Sequence, residues 1–219
     1  MNGERLGHPL DFEALKVAVG VMLLSPFLPL IFMGEEYGET SPFQYFVSHQ
    51  DPKLIEAVRQ GRRSEFKAFR WAGDPPDPQD SATFLRSQLH WQLQEREPHK
   101  QLRDFYAELM RMRKRFPALG NSDMSCVEAT AVENEKALLL HRWKGEDEIF
   151  AVSNFGRDVA QATIFPSQSG WLKILDSRDH CWAGAGSLLP ECLWPTQDHA
   201  ILIEPLSVVV YHSRARGKT

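Results

Sequence analysis

The chain has 219 residues, of which 42% are hydrophobic and 11% aromatic, which is ample for a buried core. Its formal net charge of -4, with both signs interspersed, leaves no electrostatic footprint for nucleic acid, so no nucleic-acid partner is expected. Three widely spaced cysteines, Cys126, Cys181 and Cys192, show neither C-x-x-C spacing nor the density of a disulfide framework, and read as reduced thiols of a cytoplasmic protein. The N-terminus lacks the apolar core of a signal peptide. The longest apolar stretch, Val17 to Met33, is interrupted by Gly20, Pro26 and Pro29, so no membrane span is expected.

From Asp11 to Leu24 the residues Phe12, Leu15, Val19, Met22 and Leu23 recur at helical spacing behind a plausible N-cap, Asp11. The Ser25-Pro26 pair ends that helix, because proline restricts the residue before it and cannot donate the next hydrogen bond. Leu28 to Phe32 then reads as a short, fully buried strand that stops at Gly34-Glu-Glu-Tyr-Gly-Glu39. Acids and aromatics just beyond a buried strand are what the C-terminal rim of an α/β barrel carries. Only 27 residues precede the strand, too few to supply the rest of a barrel.

Residues 40 to 98 are irregular for a compact domain. A short helix is expected over Asp51 to Gly61 with Pro52 at its start, whereas Gly73-Asp-Pro-Pro-Asp-Pro-Gln-Asp80 is too rich in proline for a regular element. The aromatics Phe66, Phe69, Trp71, Phe84 and Trp91 run through this excursion, which favours an ordered active-site insertion over a solvated linker. His99 to Phe116 is the clearest helix, burying Leu102, Phe105, Tyr106, Leu109, Met112 and Phe116 on one face. Arg111, Arg113, Lys114 and Arg115 fall in its last turn, where cations complement the carbonyl end of the dipole. Pro117 stops it, and Gly120-Asn-Ser-Asp123 marks a boundary.

Beyond that boundary the period becomes strand-like. Seven β-rich runs are expected, at 124–132, 136–143, 148–154, 159–165, 171–176, 199–204 and 207–211, and an antiparallel sandwich is their natural arrangement. The fold expectation is therefore α/β plus all-β. Residues 1–119 would hold the last βα units of an incomplete (β/α)8 TIM barrel with an insertion at about 40–98, and residues 120–219 a β-sandwich.

An αβ unit ending in Phe32-Met-Gly-Glu-Glu-Tyr-Gly38, a long insertion, a basic-tailed helix and a small β-domain resemble the C-terminal part of α-amylase-superfamily glycoside hydrolases. Pro42-Phe-Gln-Tyr-Phe46, Gly61-Arg-Arg-Ser-Glu-Phe66, Pro76-Asp-Pro-Gln-Asp80 and Thr83-Phe-Leu-Arg-Ser-Gln-Leu-His-Trp91 are similar, in order, to segments of the malto-oligosyltrehalose trehalohydrolase subfamily. The resemblance implies hydrolysis, without cofactor, of the α-1,4 bond beside a terminal trehalose unit. It also implies that the nucleophile, the acid/base and an Asn-His-Asp motif belong to earlier barrel strands. None of those motifs occurs here. Asn2-Gly-Glu-Arg-Leu6 resembles the stretch that follows Asn-His-Asp, so Met1 would align with an internal position of a larger parent. The expectations are a glycosidase parent and no catalytic residue and no activity in this chain alone.

A retaining glycosidase needs two carboxyl groups about 5–5.5 Å apart on either side of the scissile bond. Glu35 and Glu36, as sequence neighbours at a strand end, would point to opposite sides, so at most one faces a substrate. The resemblance gives one of them sugar hydroxyls to bind or an arginine to position, and makes Tyr37, Phe43, Tyr45 and Phe46 stacking surfaces for glucosyl rings. Phe43 and Phe46 read equally as core under the loop. Arg63 is a candidate substrate clamp, or, with Arg62, a surface partner of Glu65 or Asp74. His49, His90 and His99 lack metal or general-base spacing and read as ordinary polar residues, and no metal site is expected. Trp143, Trp171, Trp182 and Trp194 read as sandwich core or, alternatively, as a glycan platform. The expected ligands are maltooligosaccharides, bare or trehalose-capped, bound through the intact parent. Self-association through the incomplete barrel is left open, as are branching or debranching specificity and a free-standing carbohydrate-binding module.

Overall fold

A computed structural model describes residues 3–70, 73–164, 170–194 and 199–214. Met1, Asn2, Trp71 and Phe165, used in the sequence reading, lie outside them. Helix α1, Phe12–Leu24, starts at Asp11, whose carboxylate accepts from Ala14 N at 2.9 Å. Helices α2 (Pro52–Ala68) and α3 (Ser81–Arg86) lie in the insertion, and each is capped by the aspartate before it. Helix α2 runs past the expected end at Gly61, where no neighbouring atom constrains the backbone and one glycine does not outweigh the helix formers that follow. Helix α4, His99–Arg115, buries the expected face, and α5, Pro117–Gly120, closes the helical region.

Eight strands follow: β1 Val127–Val132, β2 Ala137–Lys144, β3 Asp147–Asn154, β4 Ala160–Ile164, β5 Trp171–Asp176, β6 Cys192–Leu193, β7 His199–Ile203 and β8 Ser207–Arg214. They make an antiparallel six-stranded sheet, ordered β1-β2-β3-β8-β5-β6, and a two-stranded β4-β7 sheet. Strand β6 was not expected, because two residues carry no periodicity.

The large sheet is apolar on both faces. Phe150, Val152, Val209 and Tyr211 pack on Ile164, Ile201 and Ile203 of the small sheet, while the alternate residues Ile149, Ala151, Val208 and Val210 pack on Val19 and Leu23 of α1 and Leu102, Phe105 and Leu109 of α4. Strands buried on both sides read as continuous apolar runs, as Ile149-Phe-Ala-Val152 does. At Gly20 a Cβ would come within 2.7 Å of Val208, so glycine lets α1 lie directly on β8. Lys16, fully buried on the same helix, donates to Ser177 O at 2.6 Å and Trp182 O at 3.0 Å and pairs with Glu13. Burial lowers its pKa, and Glu13 opposes that shift.

Two expectations need correction. Leu28 to Phe32 is extended but belongs to no sheet, and it is exposed, with Leu28 90% and Leu30 89% accessible. Its apolar run carries the composition of a buried strand, but no strand pairs with it among the described residues; Ile31 packs on the helix–sheet core and Phe32 on Phe43, while Leu28 and Leu30 remain exposed. The basic end of α4 also does more than complement its own dipole. Arg113 donates to Leu23 O and Ser25 O, both at 2.6 Å, and to Phe27 O at 3.1 Å. Arg142 of β2, fully buried, donates to Leu24 O, Ser25 O and Asn121 O. Two guanidinium groups with no carboxylate partner among the described residues thus cap the carbonyl end of α1. Burial and the charge of Arg113 bring Arg142 down to about 10.

Candidate functional site

The chain leaves the exposed segment through Gly34 and turns once through Glu35–Tyr37 to Gly38, with both glycines left-handed at φ 86° and 69°. This tight loop places three carboxylates within five residues, and the structure gives each a different environment.

Glu39 is buried. Its carboxylate accepts from Thr40 N at 2.7 Å, Ser41 N at 2.8 Å, His90 N at 2.6 Å and the Tyr37 hydroxyl at 3.0 Å, and lies 3.1 Å from His90 Nδ1. Burial alone would raise its pKa, but the hydrogen bonds from Ser41, His90 and Tyr37 outweigh burial and hold it at about 2. Ser41 Oγ completes the cluster 3.0 Å from His90 Nδ1. Because His90 lies at the far end of the insertion, this carboxylate ties the end of the excursion to its beginning. Glu35 accepts from the Tyr106 hydroxyl on α4 and from Phe32 N, both at 3.1 Å. Burial, then the Glu35 charge, raises the Tyr106 pKa. Glu36 is half-buried and has no hydrogen bond or ion pair among the described residues. Glu36 is thus the carboxylate of the three with no hydrogen-bonded partner among the described residues, although its charge, like that of Glu35, bears on Tyr106.

Beside the loop lies a cavity of about 350 Å³ lined by residues 3–7, Leu15, Phe32, Glu35, Gly38, Glu39 and Phe43. Arg5 builds one wall. Its Nε donates to Ser41 O and a terminal nitrogen to Met33 O, both at 2.6 Å, so it clamps the two ends of the carboxylate loop while lying over the Phe32 ring. A hydrogen bond from a charged donor is worth about 1.5–3 kcal/mol, so this arginine is a strong staple.

The expected stacking residues scatter. Tyr37 is fully buried and cannot serve as a sugar platform, because its hydroxyl is spent on Glu39 and its ring meets Trp91. Phe43 lines the cavity, and an edge-to-face run Phe32–Phe43–Phe46–Phe84 continues it into the insertion. Tyr45 is half-exposed beneath the Arg62 guanidinium, 5.2 Å from its ring centre, and Arg62 pairs with Glu65. Arg63 is exposed, does not line the cavity and makes no hydrogen bond or ion pair among the described residues, while its charge helps hold the Asp77 carboxyl low. The sequence reading missed Arg5, Glu39, His90 and Tyr106. His99, read as an ordinary polar residue, holds Tyr37 O at 2.8 Å through Nδ1. Among the described residues no three metal-ligating side chains converge, and no helix is long and apolar enough to cross a membrane.

Comparison with known proteins places this geometry. No family model matches the chain. A putative α-amylase from Salmonella typhimurium superposes with a TM-score of 0.74 at 26% identity, over 97% of this chain and 32% of that one. An α-amylase from H. orenii superposes with a TM-score of 0.56 over 93% of this chain and 36% of that one, at 15% identity, a likeness of fold alone. The class is that of the α-amylase-family enzymes, to which this chain is related. Within it, the chain is similar in sequence to malto-oligosyltrehalose trehalohydrolases. It is 46% identical to that of Arthrobacter ramosus over 118 residues, 52% of this chain and 20% of the relative. It is 38% identical to that of Saccharolobus solfataricus over 159 residues, 73% and 25%, and 36% identical to that of Deinococcus radiodurans over 191 residues, 84% and 31%. The chain thus spans between a fifth and a third of the length of these relatives.

Proposed function

We propose that this chain is the C-terminal part of a glycoside hydrolase that releases trehalose from trehalose-capped maltooligosaccharides, and that it has no hydrolase activity alone. The similarity to named trehalohydrolases over as much as 84% of the chain carries this reading. The residues before 120 are, on this view, the end of a (β/α)8 barrel, and the two packed sheets are its β-sandwich C-domain. A complete barrel takes about 250 residues, twice what this region offers. Leu28 and Leu30, exposed on an extended segment without strand partners, are where neighbouring barrel strands would pack. The Glu35 loop then opens at the barrel rim. Glu36, with no hydrogen-bonded partner to give up among the described residues, binds sugar hydroxyls, and Phe43 lends an apolar ring face. The nucleophile and acid come from the missing portion, because Glu35 and Glu39 are committed to protein donors.

Product analysis with maltotriosyltrehalose tests the reading. The chain alone should release no trehalose, and the chain assembled with the remaining two-thirds of the Deinococcus radiodurans relative should release it. Trehalose released by the chain alone, and abolished by Glu35→Ala with Glu36→Ala, would refute the claim of inactivity. An assembled enzyme that yields only maltose or branched glucans would refute the claim of specificity.

A further inference from the structure

The large sheet carries a second recess that shares no lining residue with the cavity beside Glu35. Across β5, Leu172 pairs with Cys192 on one side and His212 on the other, and these three project from the sheet face opposite Trp171, Leu193 and Tyr211, which fill the core. Trp194 follows β6 and is 67% exposed. Of the four tryptophans in the β-region it alone is open: Trp171 is buried, Trp182 packs on Phe105, and Trp143 lies against His141. Its seat is specific. Gly170, left-handed at φ 74°, lies directly beneath the indole, and a Cβ there would overlap the ring. One indole face is thus fixed on backbone while the rest stands over a recess of about 300 Å³ floored by Leu172.

His212 belongs to this recess and equally to an adjoining cleft of about 520 Å³, walled by Arg115, Phe116, Lys144, Glu146 and Asp147. His212 is fixed between them, 2.8 Å from Asp147 Oδ1 and against the Phe116 ring at 4.6 Å. The two recesses adjoin across His212, one aromatic and the other lined with two cations and two carboxylates. That charge balance disfavours an anionic ligand. A rigid indole next to mixed donors and acceptors suits a neutral chain of rings whose faces are apolar C–H and whose edges are hydroxyls.

We propose that these adjoining recesses form a second glucan-binding site, in which Trp194 stacks a glucosyl ring and Arg115, Lys144 and Glu146 bind hydroxyls of the following sugars, with Asp147, held by Ala118 N and His212, fixing the histidine between them. The choice of an α-1,4-linked glucan rests on the reading above of the chain as part of an α-glucan-acting enzyme. Two attachment points on one chain raise the effective concentration of glucan at the reaction site.

The purified chain suffices for the test, with maltoheptaose as the probe and cellohexaose as the linkage control. Tryptophan fluorescence should change saturably with maltoheptaose, and maltoheptaose should slow iodoacetamide alkylation of Cys192 while leaving exposed Cys181 unchanged. Trp194→Ala should weaken binding about tenfold and remove the Cys192 protection, whereas Trp194→Phe should keep most of both. Absence of saturable binding, binding equal in Trp194→Ala, or equal binding of cellohexaose would each overturn the proposal. Loss of glucan binding in Trp194→Ala would slow trehalose release by the assembled enzyme without abolishing it, so the two readings fail separately.

Discussion

The loop around Glu39 and the double-faced sheet are held by opposite means. In the sheet, Phe150, Trp171, Val209 and Tyr211 gain stability by leaving water, and the core closes upon itself. Around the loop the bonds are polar and few: Arg5 on two carbonyls, Glu39 on four donors and Tyr106 on Glu35, beside the exposed Leu28 and Leu30. The first region is held by burial, the second by a set of polar pins that fixes its geometry. The two meet at the end of α1, where Arg142 from the sheet and Arg113 from α4 grip the same carbonyl of Ser25.

The comparison can be broken first at the core. Trp171→Ala should destabilise the chain by about 3–5 kcal/mol, seen as a lower urea midpoint, because the ring leaves a cavity between the sheets. Arg142→Met should cost about 3 kcal/mol in the same assay, since it strips the α1 carbonyls of a buried charged donor, and hydrogen exchange should accelerate over residues 23–28.

Smaller effects sharpen the polar side. Glu39→Gln should cost about 1–3 kcal/mol, because a neutral amide cannot accept from every donor that faces it. The Glu39 carboxyl is depressed from about 4.5 to about 2 on folding, so its contribution is complete above pH 4.5 and is lost as the pH falls toward 2. Acid titration of unfolding should show that loss in the native chain and not in Glu39→Gln. The smallest change in stability, within about 0.5 kcal/mol, is expected for Leu28→Ser with Leu30→Ser, because neither side chain is buried. Sedimentation of the native chain and of the pair tests self-association through this segment: a native oligomer that becomes monomeric in the pair would support it, and identical sedimentation of the two would refute it.

What could be read in advance follows from where each signal resides. The α4 face was legible because Leu102, Phe105, Leu109 and Met112 repeat at helical spacing, and β2, β3 and β8 because their apolar runs are long. Strand β6 was not, being two residues defined only by pairing with β5. Glu35 and Glu36 were picked out by composition, but which of them the protein holds was set by Tyr106, 71 positions from Glu35, whose hydroxyl donates to Glu35. Arg5 and His90 lay hidden because their partners, Ser41 and Glu39, are 36 and 51 positions away.

The sequence by itself determined the long helices and strands, their apolar faces and the cluster of acids and aromatics after Phe32, since these depend on local periodicity, on proline and glycine chemistry and on composition. Only the tertiary structure decided which carboxylate is buried, which tryptophan is open, and that Leu28 and Leu30 stand exposed without a strand partner among the described residues. Burial and hydrogen-bond pairing are relations between residues distant in the chain, and the same apolar run is core or surface according to what is folded beside it.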